Sequence, residues 1–291
     1  MRSIKLFIPF AVAVVFTLTS CHKKETVEVD NETQSVVDNA VAEQEFMAIV
    51  PAVNSVAIKT KGTGADNNRS AFVACDSLHL ISGDTLFSSP THVHPTYTLT
   101  FGNATCSPIP DSKVRSGDAS IKFYGRLKLA GSRIVMQLLN YKAANSDPNK
   151  KISYICDSIV VKTISNNPVT KIRVFNIRIY NGKCLGANNT WTTLYSVDRY
   201  IEHNMNNDDI RIWGTSSGTN REGRKFTVSV DQATPLTKHT SCQFISAGVL
   251  KLTPEGFKER TVDYTSGTGT DACDEDATFS VNGNTVAFKL K

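Results

Sequence analysis

From about position 71 to the C-terminus, the apolar residues of this chain recur at every second position, a period that fits a half-buried strand and not a helix. In 120–129, Ile121, Phe123, Leu127 and Leu129 alternate with other residues. Ala130-Gly131-Ser132 turns the chain and 133–141 returns. The run 152–164 is rich in β-branched residues and stops at Asn166-Asn167-Pro168. Residues 171–180 alternate with a phase slip between Val174 and Ile177, which predicts a bulge near Phe175-Asn176, and Asn181-Gly182 predicts a turn. Residues 192–201, 210–213 and 226–230 follow as strands, with 214–223 expected to be a Gly/Ser/Asn-rich loop. Residues 246–252 and 258–264 flank the turn Pro254-Glu255-Gly256. The last hairpin, 278–281 and 285–290 around Asn282-Gly283, carries the strongest short-range turn signal. Roughly a dozen strands with short turns and no helix between them specify a mainly β fold, an antiparallel meander. A sandwich and a curved half-barrel both satisfy the pattern.

Upstream the character changes. Val37, Ala40, Val41, Gln44 and Ala48 fall at helical spacing, so one short helix is expected over 30–50, stopped by Pro51. Residues 60–70 are a turn-rich loop. Residues 1–20 have the three parts of an export signal: Arg2 and Lys5, an apolar run over 6–18, and small residues before Cys21. That run is about 13 residues, short of the roughly 20 that span a bilayer. Leu18-Thr19-Ser20-Cys21 matches a bacterial lipobox, which makes the Cys21 thiol the expected lipid acceptor and the membrane an expected partner through that lipid. His22 in place of an aspartate after the cysteine favours the outer membrane; neither face of it is specified. The expected organisation is a signal over 1–20, a lipidated flexible tether over 21–32, a helical segment and loop over 33–70, and a β domain over 71–291 with a possible sub-boundary near 231–240.

The formal charge is +5, and it falls to +3 when Arg2 and Lys5 leave with the signal. Residues 22–46 hold two lysines and seven acids, which suggests an acidic arm before a basic body. Such a body could face an anionic glycan or lipopolysaccharide. No nucleic-acid-binding motif is present. Of seven cysteines, Cys21 is assigned to lipid. Cys75, Cys106, Cys156, Cys184, Cys242 and Cys273 remain, an even number that in an oxidising compartment suggests three disulfides. Pairing between sequence neighbours is the simplest of the 15 possible connectivities.

The mature chain resembles a family of uncharacterised lipoproteins from Bacteroidota. The resemblance is carried by the lipobox, by Asp30-Asn-Glu-Thr-Gln-Ser35, by the run from Asn206 to Phe226, by Ser241-Cys-Gln-Phe-Ile-Ser-Ala-Gly248, and by the segment from Gly269 to Thr278. It implies an address and no activity. It also implies O-glycosylation at Asp-Ser/Thr-aliphatic triplets, which here would modify Ser77, Thr85 and Ser158.

No catalytic constellation stands out, so the chain is not expected to be an enzyme. His92-Val93-His94, if extended, would point two imidazoles to one face, as a metal pair requires. Asp271, Asp274, Glu275 and Asp276 near Gly267 and Gly269 offer hard oxygens for calcium, the one cofactor considered, without EF-hand spacing. Trp191, Tyr195, Tyr200 and Trp213 could build a sugar-stacking platform. Glu202, Glu222, Glu255 and Glu259 are scattered and pair with nothing visible in the sequence. The expected role is a membrane-anchored, non-catalytic binding module for a glycan, a lipid or an envelope protein. The alternatives are a lipid carrier with an apolar groove and a hydrolase whose site is assembled from distant strands.

Overall fold

The computed structural model describes residues 30, 32–59, 77–84, 94–101, 113–144, 147–239, 242, 244–265 and 273–290. The expected lipid site Cys21 lies outside them. One helix, α1 (Gln34–Lys59), precedes fifteen strands. The strands are β1 (Ser77–Ser82), β2 (Thr96–Phe101), β3 (Val114–Tyr124), β4 (Arg133–Ala144), β5 (Ile152–Ile155), β6 (Ser158–Asn167), β7 (Ile172–Leu185), β8 (Thr192–Asn204), β9 (Asp209–Thr219), β10 (Lys225–Val230), β11 (Leu236–His239), β12 (Val249–Pro254), β13 (Arg260–Asp263), β14 (Asp276–Val281) and β15 (Asn284–Lys289). All belong to one antiparallel sheet in nearly sequential order. Around residues 231–239 β10 pairs with β12 while β11 folds back onto β9.

The period-two pattern placed most strands, and the departures have local causes. The run 152–164 breaks at Cys156-Asp157 into β5 and β6. Asn181-Gly182 lies inside β7; the ladder to β8 shifts between Ile179 and Gly182, and the ladder to β6 shifts opposite Val174 and Phe175, near the expected place but with the extra residue, Ile164, on β6. Asn181 takes the left-handed φ of +52° that a bulge needs as much as a turn does. A Cβ on Gly182 would sit 2.6 Å from the Tyr195 carbonyl oxygen, so only glycine fits. Residues 214–219, expected as loop, are strand in β9, and the turn is confined to 220–224.

Helix α1 departs furthest from expectation. It runs through Pro51, whose fixed φ is itself helical and which removes only one backbone bond. The valine stripe of Val37, Ala40 and Val41 is only half-buried. The buried side carries Ser35, Val36, Asp38, Asn39, Ala42, Glu43, Glu45 and Phe46. Of the acids expected in a solvated arm, Asp38, Glu43 and Glu45 are therefore interior, Asp30 and Glu32, assigned to the tether, dock with them, and Glu25 and Glu28 lie outside the described residues.

Each carboxylate meets a cation from the sheet. Glu45 takes Arg115 of β3 at 2.9 Å, Lys113 at 3.3 Å and the Tyr141 hydroxyl at 2.6 Å. Glu43 meets Arg199 of β8 at 2.9 Å. Asp38 accepts from the Arg221 side chain and backbone, both at 2.8 Å. Asp30 and Glu32 hold Arg260 of β13. These contacts fix the sheet's curvature. From β3 to β13 a flat sheet would extend roughly 38 Å at about 4.8 Å per strand. Gln34 to Glu45 spans only about 17 Å of helix at 1.5 Å per residue, and Glu32 lies two residues before it. The sheet must curl around α1, as a half-barrel does.

Apolar packing completes the concave side in two halves. Under β2 to β8, Phe46 stacks on Tyr195 at 5.8 Å and meets Tyr154 edge-on at 5.6 Å. Under β9 to β15, Val36 joins Phe226, Leu236, Leu252 and Phe279.

Burial alone would raise the Glu45 carboxyl, but Arg115, Lys113 and the Tyr141 hydroxyl outweigh it and hold it below the ordinary carboxylate range. A depressed folded value means that this stability is present above the unfolded carboxylate range and is lost as pH falls through the folded value. The melting temperature should therefore decline on acidification, and a Glu45→Gln variant should show a shallower decline. At neutral pH Glu45→Ala, which leaves Arg115 buried without its anion, should lose roughly 3–5 kcal/mol in denaturant unfolding.

Candidate functional site

The inward side of the sheet leaves little room. Beside α1, a cavity of about 50 Å3 is lined by Gln44, Met47, Ile212, Phe244 and Tyr264 among others. That holds a water or two and not an acyl chain. The apolar groove required by a lipid carrier is occupied by the chain's own helix.

The open concavity lies on the outward side, where the strands turn small polar side chains to solvent. It is a hollow of about 760 Å3 across β7, β8, β9, β10 and β12. Register sets its floor. One row runs Arg178, Asp198, Thr215, Ser229, Lys251, each directly opposite the next. A second row, two residues along each strand, runs Ser196, Ser217, Thr227, Thr253. Five strands at about 4.8 Å spacing give the first row a length of roughly 19 Å. Gly214, at φ +114°, lets β9 approach β8 closely: a Cβ there would sit 2.5 Å from the Asp198 carbonyl oxygen.

The charges in the hollow are internally matched. Asp198 accepts from Asn176 at 2.6 Å and from Arg178 at 3.0 Å. The Tyr180 hydroxyl and the Asp198 carboxylate together hold the Arg178 guanidinium protonated above its ordinary value. Lys251 meets Glu259 at 3.7 Å. Between these ends, six hydroxyls (Ser196, Thr215, Ser217, Thr227, Ser229, Thr253) make no side-chain hydrogen bond among the described residues. Each can both donate and accept. Among the described residues Asp198 is the single carboxylate lining the hollow, so they assemble no pair of facing carboxylates there.

The four aromatic candidates do not form one platform. Tyr195 is in the core, and Trp191 lies under the Arg221 guanidinium at 4.2 Å. Tyr200 and Trp213 do stack, with centroids 5.8 Å apart and planes within 9°. They occupy the position next along β8 and β9 from Asp198 and Thr215, so the pair borders the hollow. Tyr180, 44% exposed, stands at its β7 side.

The other candidates separate. His92 is outside the described residues, and His94 packs its ring on Tyr124 at 4.6 Å. Asp271 is also outside them. Glu275 and Asp276 are taken up by Lys289 at 3.2 and 2.5 Å, and Asp274 accepts from the Asp276 backbone. Three oxygens turned to a lysine and a turn do not converge on calcium, and no group of three metal-ligating side chains occurs among the described residues. Of the glycosylation candidates, Thr85 is outside, Ser77 opens edge strand β1, and Ser158 is half-buried inside the sheet. Among the expected carboxylates, Glu202 pairs with Arg211 and Glu259 with Lys251.

Cys242 and Cys273 are bridged, as neighbour pairing suggested. Cys75 and Cys106 lie outside the described residues. Cys156 and Cys184, expected to pair, are separate buried thiols. Register puts Cys184 opposite Tyr154, so Cys156 is its diagonal neighbour. Diagonal positions are roughly 7–8 Å apart, beyond what a disulfide bridges. Burial pushes their thiols up to about 11 and about 12.

No helix among the described residues is long and apolar enough to cross a membrane. Comparison with known proteins finds no match: no family model, no curated protein and no solved structure aligns with this chain.

Peptide mapping after brief alkylation of native protein should leave Cys156 and Cys184 unmodified, and denaturant should expose both. Modification of either in the folded state would contradict the packing described.

Proposed function

We propose that this chain is a lipid-anchored envelope protein that binds an extended, uncharged glycan segment in the outward hollow and does not transform it. The carrying observation is the pair of cross-strand rows, in which six unengaged hydroxyls lie between two internally neutralised charged ends. A polyhydroxylated chain matches that surface, because it can trade hydrogen bonds with water for hydrogen bonds with serine and threonine without leaving a charge unpaired. Asp198 and Arg178, held side by side, offer an acceptor and a donor to adjacent sugar hydroxyls. Tyr180 and the Tyr200–Trp213 stack supply apolar ring area at the border. A protein partner would call for a central apolar anchor, which the hollow lacks.

The anchored address rests on the lipobox and on the Bacteroidota lipoprotein resemblance. The Cys242–Cys273 bridge is consistent with an oxidising compartment. The outer membrane is the proposed location.

Full-length protein in detergent, screened on a glycan array and titrated calorimetrically with the hits, should bind neutral oligosaccharides. Asp198→Ala or Ser217→Lys should weaken that binding about tenfold or more, equivalent to about 1.4 kcal/mol, with an unchanged melt. Silence on the array, or binding indifferent to both variants, would reject the reading. Cys21→Ser should sharply lower the share of the protein that sediments with membranes in high-salt buffer.

A further inference from the structure

The end of the sheet formed by the β3–β4 and β6–β7 turns has a composition found nowhere else in the chain. Residues 122–133 and 162–173 contain Lys122, Arg126, Lys128, Arg133, Lys162, Lys171 and Arg173, and no aspartate or glutamate. The two turns form one surface. The Gly131 N–H donates to Thr163 at 2.8 Å, the Thr163 N–H to Ser132 at 2.9 Å, and Asn166 to the Lys128 carbonyl at 2.9 Å. Five cations on it (Lys122, Lys128, Arg133, Lys162 and Lys171) meet no carboxylate among the described residues. Lys122 and Arg133 both rest against the Tyr124 ring, at 5.4 and 4.4 Å.

Large apolar side chains project from the same surface. Val169 is 88% exposed, Leu129 55% and Ile164 41%. Ile164 follows buried Ile159, Val161 and Thr163 on the opposite phase of β6, so its outward setting is built into the strand. Beyond this rim the β8–β9 turn is different: Asp208 and Asp209 stand beside His203 and His239.

We infer that this rim is a second, lipid-independent contact with an anionic bilayer surface. The cations would meet lipid headgroups while Leu129, Ile164 and Val169 enter the headgroup–acyl boundary. Apolar side chains at turn tips, ringed by unpaired cations, are costly in water and favourable at such an interface. The two turns carry charge of one sign, although the β8–β9 turn bonded to them through Met205 and Asn206 brings in Asp208 and Asp209, and that concentration of cations argues for a polyanionic surface over a protein partner of mixed charge. Seated on its rim, the protein would hold the strands upright and leave the outward hollow facing sideways, clear of the membrane.

Photocrosslinking of the full chain tests this. Protein purified in detergent is exchanged into mixed phosphatidylglycerol–phosphatidylcholine vesicles containing a headgroup-diazirine phosphatidylglycerol, and crosslinked peptides are mapped by mass spectrometry. Crosslinks should concentrate in 122–133 and 162–173. They should fall several-fold in phosphatidylcholine vesicles carrying the matching probe, and again with Lys128→Glu combined with Lys171→Glu, exposed positions whose replacement should leave the melt unchanged. Crosslinks spread evenly over the sheet, rim crosslinks equal in both vesicle types, or full competition by soluble polyphosphate at matched ionic strength would overturn the inference.

Discussion

Four buried ion-pair clusters, three along one helix and one on the residues that lead into it, decide how the described elements of this protein are arranged. A carboxylate sealed in a protein interior without a partner is so unfavourable that α1 can take only the setting that brings each acid to its own cation. Arg260, Arg221, Arg199 and Arg115 come from positions spread over most of the sheet, so satisfying all four also bends the sheet to one curvature. An apolar helix in the same trough could rotate or slide with modest loss. This one has a fixed register, and the Phe46–Tyr195 stack and the close approach at Gly182 follow from it.

Because the inward face is filled by the chain itself among the described residues, the surfaces left open are the outward face and the turns. These surfaces carry opposite chemistry. The hollow is hydroxyl-rich with its charges matched in pairs, whereas the rim is cationic with exposed aliphatic tips. A neutral polymer and an anionic surface would compete poorly for each other's places, so both can be engaged at once.

What the sequence disclosed tracks how local each signal is. Period-two alternation is written into neighbouring residues, and β4, β10 and the Asn282-Gly283 hairpin lie where it placed them. The buried acids were illegible because a carboxylate is assigned to solvent unless its partner is known, and these partners lie 68 to 230 residues away. The hollow was hidden for a related reason. Thr215-Ser216-Ser217-Gly218 has loop composition, and only pairing with β8 and β10 makes it strand. The alternation of Thr215 with Ser217 and of Thr227 with Ser229 was the available clue. Bridge formation likewise depended on register: Cys242 and Cys273 meet, while Cys156 and Cys184 are offset by one diagonal step.

The distances along the chain that separate α1 from its arginines also bear on the order of assembly. The sheet can grow hairpin by hairpin, since nearly every strand pairs with its sequence neighbour. The helix is synthesised before any of its partners, and Arg260 arrives only near the end. A greasy segment kept waiting that long would be prone to aggregate. Its acidity keeps the nascent segment hydrated and self-repelling until the last arginine is made, so the charges that lock the finished trough also protect the unfinished polypeptide.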